Sequence, residues 1–144
     1  MKEILVTGGM GYIGSHTVIE LLKAGYKPVI VDNLVNSKEE VLNRLETITG
    51  VRVEFVKLDV RDEEALDKVF ASHNFFGAIH FAGLKSVGES VKFPQMYYDN
   101  NYGSTDTLLK VMEKYNVKHL VFSSSATVYG TPKRVPLVET DEIG

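Results

Sequence analysis

The sequence predicts an α/β fold built on a doubly wound parallel sheet with the strand order 3-2-1-4-5. Three observations predict this Rossmann-like architecture: short apolar runs alternate with helical patterns, a glycine-rich turn follows the first run, and an aspartate ends the second. Strands that alternate with helices pair in parallel through right-handed crossovers, and the helices cover both faces of the sheet. Ligands of such sheets bind beyond the carboxyl ends of the strands, so candidate functional residues are sought there.

Five apolar runs are the predicted strands, and they occupy residues 3–7, 28–32, 51–59, 77–81 and 119–124. In all of them except the third, apolar residues follow one another without polar alternation. This pattern is typical of strands that are covered on both faces, as the strands of a parallel sheet usually are. We therefore expect helices to pack against both sides of these four strands.

The first two predicted helices have recognisable ends. Residues 12–24 carry an apolar stripe, and Gly25 is a typical C-terminal stop because glycine adopts the left-handed conformation at little steric cost. Ser37 and Glu40 have the S-x-x-E spacing of a capping box, in which the serine side chain accepts a hydrogen bond from the helix backbone. The box predicts that the second helix begins just after Ser37.

The later helices are predicted from a cap and from periodicity. Asp62 precedes two glutamates and is placed to cap the third helix. Residues 95–115 are predicted as one helix, which Gly103 weakens without ending. Asn100 and Asn101 are poor mid-helix residues unless an amide forms a hydrogen bond, so one of them is expected to turn inward; solvent exposure is the alternative.

The composition is that of one globular domain, residues 1–144, with 44% hydrophobic residues and a net charge of −3. No basic excess favours a nucleic-acid partner, and no apolar run is long enough for a signal peptide or a membrane span. No cysteine is present, which excludes disulfides and thiolate metal sites and fits a cytoplasmic location. The four histidines lack ligand spacing, so no metal site is predicted.

The first strand runs into the glycine-rich sequence TGGMGYIGSH, which fits two related motifs. Gly9, Gly11 and Gly14 match G-x-G-x-x-G, whereas Gly8, Gly11 and Gly14 match G-x-x-G-x-x-G. Such glycines allow a tight turn and a close approach of the backbone to a pyrophosphate, which the helix N-terminus attracts. The alternative is an ordinary tight turn between strand and helix.

Asp32 ends the second strand about twenty residues after the glycine turn, which is the spacing of dinucleotide-binding sites. Its carboxylate would hold the adenine-ribose hydroxyls and repel a 2′-phosphate. Neither Asn33 nor Leu34 offers a cation to bind such a phosphate, so NAD is favoured over NADP. The alternative is a loop or helix-cap aspartate.

Other strand ends also carry candidate residues. Asp59 could accept a hydrogen bond from an adenine amino group, although loop aspartates are common. Ala82 and Gly83 are small enough for close approach of a cofactor, and Lys85 could reach ribose hydroxyls or be a solvated surface lysine. His80 lies within a strand and is more typical of a hydrogen-bonded core histidine than of a catalyst.

The fifth strand ends in three serines, Ser123 to Ser125, beside the expected position of a nicotinamide ring. A hydroxyl there could bond a substrate oxygen while hydride leaves the adjacent carbon. Which serine points inward depends on the strand phase, which the residues leave open. The alternative is that the serines satisfy backbone groups at the strand end.

Five segments carry a family resemblance along the whole chain: VTGGMGYIGSH (6–16), DNLVNS (32–37), HFAGLKSVGES (80–90), YYDNN (97–101) and FSSSATVYG (122–130). Together they resemble the UDP-glucose 4-epimerases, a branch of the extended short-chain dehydrogenase/reductases. Related sugar-nucleotide dehydratases carry Thr-Asp-Glu near the position of Ser-Ala-Thr in the last segment, which favours the epimerase branch.

The resemblance implies a reaction in which tightly held NAD takes hydride from sugar C4, the 4-keto sugar rotates, and hydride returns to the other face. UDP-glucose and UDP-galactose are then interconverted. It implies that Ser125 bonds the sugar O4 and a catalytic tyrosine. It also implies that the cofactor-binding residues are Gly8, Gly11, Tyr12, Ile13, Gly14, Asp32, Asn33, Leu34, Val35, Asn36, Ser37, Asp59, Val60, Phe81, Ala82, Gly83, Leu84, Lys85 and Asn100.

The family's Tyr-x-x-x-Lys motif, in which the tyrosine is the base, is expected beyond Gly144, together with the later strands and the uridine-binding region. Tyr129 and Lys133 have the right spacing, but Pro132 blocks the helix that the motif needs. We therefore expect a truncated, inactive fragment with an apolar edge at its fifth strand. A stand-alone NAD-binding module and an enzyme of another nucleotide sugar are the alternatives, and the family's homodimer is doubtful for this fragment.

Overall fold

The computed structural model describes residues 1–144 and contains one parallel sheet with the strand order β3-β2-β1-β4-β5, so the predicted order is confirmed. The strands are β1 Glu3–Thr7, β2 Lys27–Asp32, β3 Glu54–Lys57, β4 Phe75–His80 and β5 His119–Phe122. All four pairings are parallel, as alternation of strands and helices requires. The third strand is shorter than the run 51–59 that predicted it.

Six α-helices connect or follow the strands, with bounds α1 Tyr12–Lys23, α2 Glu40–Thr49, α3 Glu63–Ala71, α4 Val87–Lys92, α5 Pro94–Tyr97 and α6 Gly103–Lys114. Gly25 has a φ of 82° and follows the end of α1, as its stop signal predicts. The carboxylate of Asp62 accepts a hydrogen bond from the amide of Ala65 and caps α3, also as predicted. No helix is both long and apolar enough to cross a bilayer.

The pleat of β1 sends alternate side chains into two separate cores. Ile4 and Val6 pack with residues of α1 and α2, including Val18. Leu5 points the other way and packs with residues of α3 and α6, including Leu108. The sheet is therefore wound on both sides, and the carboxyl ends of its strands are left free for the functional site.

The fifth strand differs from its prediction. Its apolar run predicts coverage on both faces, but Val121 and Phe122 are 61% and 54% exposed. The reason is position, because β5 pairs only with β4 and lies at the edge of the sheet. The exposed apolar edge expected there is confirmed.

The capping box predicted from Ser37 and Glu40 is wrong. Helix α2 begins at Glu40, and its N-cap residue, Glu39, forms no side-chain cap. The Ser37 hydroxyl instead donates to the Asp32 carboxylate, with an oxygen–oxygen distance of 3.1 Å. A hydrogen bond to a charged carboxylate is stronger than one between neutral groups, so this bond fixes the serine side chain away from the helix end.

The predicted single helix at 95–115 is also wrong, because a π-helical turn, Tyr98–Tyr102, separates α5 from α6. The turn widens the helix by one residue and rotates its side chains. Asn101 thereby faces inward and forms two hydrogen bonds with Leu84, whereas Asn100 lines the groove described below. An inward asparagine was expected, but neither its identity nor its partner was predicted.

Candidate functional site

The glycine turn after β1 uses the spacing of Gly8, Gly11 and Gly14. Gly8 has a φ of 67°, and a side chain there would come within 2.8 Å of the Ala82 amide nitrogen. A Cβ at Gly14 would overlap the Gly8 carbonyl oxygen. Gly9 instead packs against Ile30, where a Cβ would lie 2.8 Å from its side chain. Of the two motifs, G-x-x-G-x-x-G therefore describes the turn that faces the groove.

Helix α1 points free amide groups over this turn. Its N-cap is Gly11, which offers no side-chain acceptor. The first helical hydrogen bond is donated by the Ser15 amide, so the N–H groups of Tyr12, Ile13 and Gly14 have no acceptor within the chain. These groups and the positive end of the helix dipole suit an anionic group such as a diphosphate.

Asp32 holds the loop after β2 in place with three hydrogen bonds. Its Oδ2 accepts from the Met10 amide at 3.1 Å, and its Oδ1 accepts from the Leu34 amide at 2.8 Å and the Ser37 hydroxyl at 3.1 Å. A carboxylate offers about four acceptor positions, so one remains for a ligand hydroxyl. No lysine or arginine occurs between Asn33 and Ser37 to bind a second phosphate.

Asp59 is held by a neighbour that the sequence analysis did not identify. Arg61 donates from Nε at 3.0 Å, from Nη2 at 2.8 Å and from its amide at 2.9 Å. These bonds lower the pKa of Asp59 to about 2, and Asn33 donates a fourth bond at 3.3 Å. The acceptor positions of this carboxylate are thus largely filled, and a hydrogen bond from adenine would require one of the two donors to move.

The opposite wall of the groove is the segment after β4, residues 81–85. Thr7 accepts a hydrogen bond from the Ala82 amide at 3.2 Å. Asn101 brackets the backbone of Leu84, because it accepts from the amide at 2.7 Å and donates to the carbonyl at 2.9 Å. The segment is therefore anchored at both ends to the fold beneath it.

These elements enclose a groove of about 460 Å³ at the carboxyl ends of the strands. All the predicted cofactor residues except Leu34 line it. Leu34 has a φ of 61° and turns its side chain toward the core of α1 and α2, so only its amide takes part, as a donor to Asp32. The glycine cradle, the free amides and the acidic residue together fit a dinucleotide.

Ser125 does not line this groove. It is exposed and caps a short 3-10 turn, Ala126–Tyr129. Its hydroxyl oxygen accepts hydrogen bonds from the Thr127 amide at 3.3 Å and the Thr127 hydroxyl at 2.9 Å. Ser125 therefore forms local hydrogen bonds, including one to a backbone amide, which is the alternative role considered for these serines.

Five lining residues were not predicted: Leu58, Ser86, Glu89, Tyr97 and Ser104. Ser86 caps α4 through the Glu89 amide, and the S-x-x-E pattern could have located both. The Tyr97 hydroxyl accepts from the Ser86 amide at 3.0 Å and donates to Glu89 at 2.8 Å. Nothing in the sequence signals that Tyr97 reaches this loop.

His80 is buried behind the groove, as predicted for a core histidine, with 2% of its surface exposed. Desolvation, together with the charge of Lys85, lowers its pKa to about 4 from the usual 6.5. The unfolded chain therefore binds a proton between pH 6.5 and 4 that the folded chain does not bind. The resulting stability is complete above pH 6.5 and is lost as the pH falls toward 4.

We expect this linkage to remove about 3 kcal/mol of unfolding free energy between pH 6.5 and 4. Urea unfolding of the wild type, His80→Gln and His16→Gln across that range will measure it. The slope against pH should flatten in His80→Gln, and His16→Gln is the control substitution at an exposed histidine. Equal slopes for the wild type and His80→Gln would contradict the assignment.

The chain is similar in sequence to UDP-glucose 4-epimerases of several organisms. The UDP-glucose 4-epimerase of Dictyostelium discoideum is 61% identical over 137 residues, which are 95% of this chain and 40% of that protein. The UDP-glucose 4-epimerase of Bacillus subtilis is 56% identical over 141 residues, which are 98% of this chain and 42% of that protein. The chain thus spans about two fifths of the length of these relatives.

Solved structures agree with the sequence comparison. The UDP-glucose 4-epimerase of Bifidobacterium longum, in complex with NAD+ and UDP, superposes with a TM-score of 0.97 at 56% identity, over 99% of this chain and 43% of that one. The enzyme of Thermus thermophilus, in complex with NAD, gives 0.88 at 33% identity, over 99% of this chain and 44% of that one. A sequence model described as the NAD dependent epimerase/dehydratase family matches residues 4–144. On this match, and on the fold and groove that accompany it, the chain belongs to the NAD dependent epimerase/dehydratase family.

Proposed function

We propose that residues 1–144 form the NAD-binding domain of a cytoplasmic isomerase that interconverts UDP-glucose and UDP-galactose. The observation that carries the proposal is the cradle of Gly8, Gly11 and Gly14 under the free amides of α1, with Asp32 across the groove. The high identity to UDP-glucose 4-epimerases and the NAD+ and UDP in a similar structure support the choice of reaction.

Each wall of the groove has a task in this proposal. The amides of Tyr12 and Ile13 bind the pyrophosphate, and the free acceptor position of Asp32 binds ribose hydroxyls. Lys85, exposed on the opposite wall, reaches ribose hydroxyls nearer the nicotinamide. NAD, when bound, supplies the capacity to accept and return a hydride at sugar C4.

The expected hydrogen bond from adenine to Asp59 has to compete with donors that are already there. Arg61 and Asn33 already donate to the Asp59 carboxylate. We propose that adenine packs against the apolar floor beside it, which Leu58 and Val60 line, and that its amino group competes with Asn33 for the carboxylate. The bond from Asn33 is the longest of the set, 3.3 Å, and is the one that can be exchanged most easily.

The proton chemistry is assigned to groups outside the groove. We propose that Ser125 bonds the sugar O4 once a sugar nucleotide is bound, and that the catalytic tyrosine and lysine are not supplied by residues 1–144. Tyr129 ends the 3-10 turn, no helix connects it to Lys133, and Lys133 pairs with Glu142. The lysine therefore does not support the tyrosine hydroxyl as the family's motif requires.

Calorimetry and a turnover assay on the purified chain test the proposal. We expect NAD to bind, NADP to bind more weakly, and UDP-galactose not to be converted to UDP-glucose. Absence of NAD binding at millimolar concentration would contradict the groove assignment. Measurable conversion would contradict the assignment of the base outside these residues.

A second candidate is an NAD-binding module without catalysis. It is favoured by one observation: residues 1–144 line a groove that fits a dinucleotide, while Tyr129 and Lys133 are not arranged as a catalytic pair. An in-frame coding continuation with such a motif supports the enzyme, and its absence together with tight NAD binding supports the module. We also propose that residues 1–144 alone do not form the family's homodimer, which sedimentation of the purified protein tests.

A further inference from the structure

A chain of hydrogen bonds runs beneath the groove wall at 81–85, and the direction of each bond can be deduced. Thr7, at the end of β1, accepts a hydrogen bond from the Ala82 amide at 3.2 Å. Its hydroxyl oxygen also lies 2.5 Å from Nδ1 of His80. The oxygen has a second lone pair, but the proton of the Thr7 hydroxyl has no acceptor in the chain other than Nδ1. We therefore assign this proton to the bond with His80, and Nδ1 is then the acceptor.

The tautomer of His80 follows from this first bond. A neutral imidazole that accepts at Nδ1 carries its proton on Nε2. Nε2 lies 3.1 Å from the Thr105 hydroxyl oxygen on α6, which can accept that proton. The Thr105 hydroxyl donates in turn to the backbone carbonyl of Asn101 at 3.0 Å. Each bond in this series of hydrogen bonds therefore has a defined donor and acceptor, and no buried polar side chain of the protein is left without a partner.

The series of hydrogen bonds ends at Asn101, the residue that anchors the groove wall. The carbonyl of Asn101 receives the last bond, and its side chain brackets the backbone of Leu84. The first bond begins at Ala82, two residues earlier on the same wall. His80 thus connects the two anchors of this segment through the inside of the fold. A Cβ at Gly83, between them, would lie 3.3 Å from the Asn101 amide oxygen, so the wall is closely packed on its anchor.

We propose that His80 is a positioning residue, which in its Nε2–H tautomer couples Thr7 to Thr105 and so holds the groove wall from Ala82 to Leu84 in its binding geometry. The ligand that this wall serves is the dinucleotide of the proposed function, and to that extent the inference rests on it. The tautomer and the coupling are properties of the chain without ligand, and they can be measured separately.

Thr105 is the residue to change, because its hydroxyl bonds His80 and the Asn101 carbonyl but neither Ala82 nor Leu84. Thr105→Val removes the acceptor of the His80 proton at nearly constant shape, and Thr105→Ser keeps the hydroxyl. Thr107→Val is the matched control, since Thr107 lies on the same helix and its hydroxyl forms no hydrogen bond within the chain. Thr105→Val also removes the bond to the Asn101 carbonyl, so Leu84 can respond through Asn101. Ala82, whose amide bonds Thr7, is therefore the readout for coupling through His80.

Nitrogen-15 and amide-exchange NMR on the unliganded chain at neutral pH test the coupling. We expect the wild-type His80 ring to show Nε2–H alone. In Thr105→Val, amide exchange of Ala82 and Leu84 should accelerate about tenfold relative to that of Val29 in the core. In Thr105→Ser and Thr107→Val, the amides of Ala82 and Leu84 should exchange at nearly the wild-type rate. An Nδ1–H or doubly protonated ring in the wild type, or acceleration equal to that of Val29, would overturn the proposal.

Calorimetry with NAD adds a readout for function. Thr105→Val is expected to weaken NAD binding several-fold, and Thr105→Ser to restore it. If the wild type itself does not bind NAD, the proposed function fails while the NMR result still decides the coupling. If NAD binds all variants equally although the wall is loosened, the wall does not set the binding geometry and the proposal is overturned in that part.

Discussion

Gly14→Ala is expected to weaken NAD binding at least about 100-fold, which corresponds to about 2.7 kcal/mol. A Cβ at this position would overlap the Gly8 carbonyl oxygen and lie 2.9 Å from the Gly9 Cα, and both are backbone atoms. The turn cannot move aside freely, because the Gly8 amide donates to the Val31 carbonyl at 2.9 Å. The first turn of α1 must therefore shift away from the bound diphosphate.

The measurement is isothermal calorimetry with NAD, accompanied by urea unfolding to show that each variant folds. Gly88→Ala is the control, because Gly88 lies in exposed helix α4 and no atom lies within 4 Å of the Cβ that the substitution adds. That variant should bind NAD as the wild type does. If Gly14→Ala folds and binds NAD within threefold of the wild type, the diphosphate does not lie over this turn.

Asp32→Ala is expected to lower the free energy of unfolding by about 3 kcal/mol and to weaken NAD binding as well. The substitution leaves the amides of Met10 and Leu34 and the Ser37 hydroxyl without their acceptor. Met10 is buried, so water does not replace the lost bond at its amide without cost. Urea unfolding at pH 7 measures the effect.

Asp106→Ala is the matched control for stability. Asp106 pairs with Lys110 on the exposed side of α6, at 2.7 Å, and such surface pairs contribute less than about 1 kcal/mol. Equal losses in Asp32→Ala and Asp106→Ala would show that the three hydrogen bonds to Asp32 carry no special weight.

Asp32→Asn separates charge from hydrogen bonding. It keeps one acceptor oxygen and removes the negative charge that disfavours a 2′-phosphate. The ratio of NADP to NAD affinity is therefore expected to rise roughly tenfold, as competition calorimetry will measure. An unchanged ratio would indicate that the segment from Asn33 to Ser37, which has no cation, excludes NADP by itself.

Most of the fold could be predicted because it depends on local patterns. The run at 3–7 was predicted as a strand with bounds that the structure reproduces, and Gly25 and Asp62 marked helix ends that the structure has. Alternation and handedness predicted the parallel pairing, and the sheet order is the one usual for a dinucleotide-binding sheet. The glycine turn, Asp32 and Asp59 followed from the rule that parallel strands present their carboxyl ends at one edge. The full set of cofactor residues was implied by the family resemblance.

The errors at Ser37 and at 95–115 share one cause, which is competition from hydrogen-bond partners that the local pattern does not include. Ser37 has the pattern of a helix cap, but in the folded chain its hydroxyl reaches the Asp32 carboxylate, whose charge makes that hydrogen bond the stronger one. The segment 95–115 has one helical periodicity, but the two hydrogen bonds of Asn101 to Leu84 accompany a π turn inside it. Neither partner is part of the helical pattern that made the prediction.

By itself, the sequence determined the parallel sheet and the glycine turn and aspartates at its carboxyl edge, because periodicity and glycine spacing act over a few residues. The further cofactor residues came from the resemblance of whole motifs to a known family. Only the tertiary structure decided which donor and acceptor atoms at this edge already form hydrogen bonds within the chain. It shows that Arg61 donates hydrogen bonds to the Asp59 carboxylate and that the Ser125 hydroxyl accepts one from Thr127. It also shows that His80 connects Thr7 to Thr105 by hydrogen bonds. Hydrogen-bond partners are chosen by distance in space, and that distance exists only once the chain has folded.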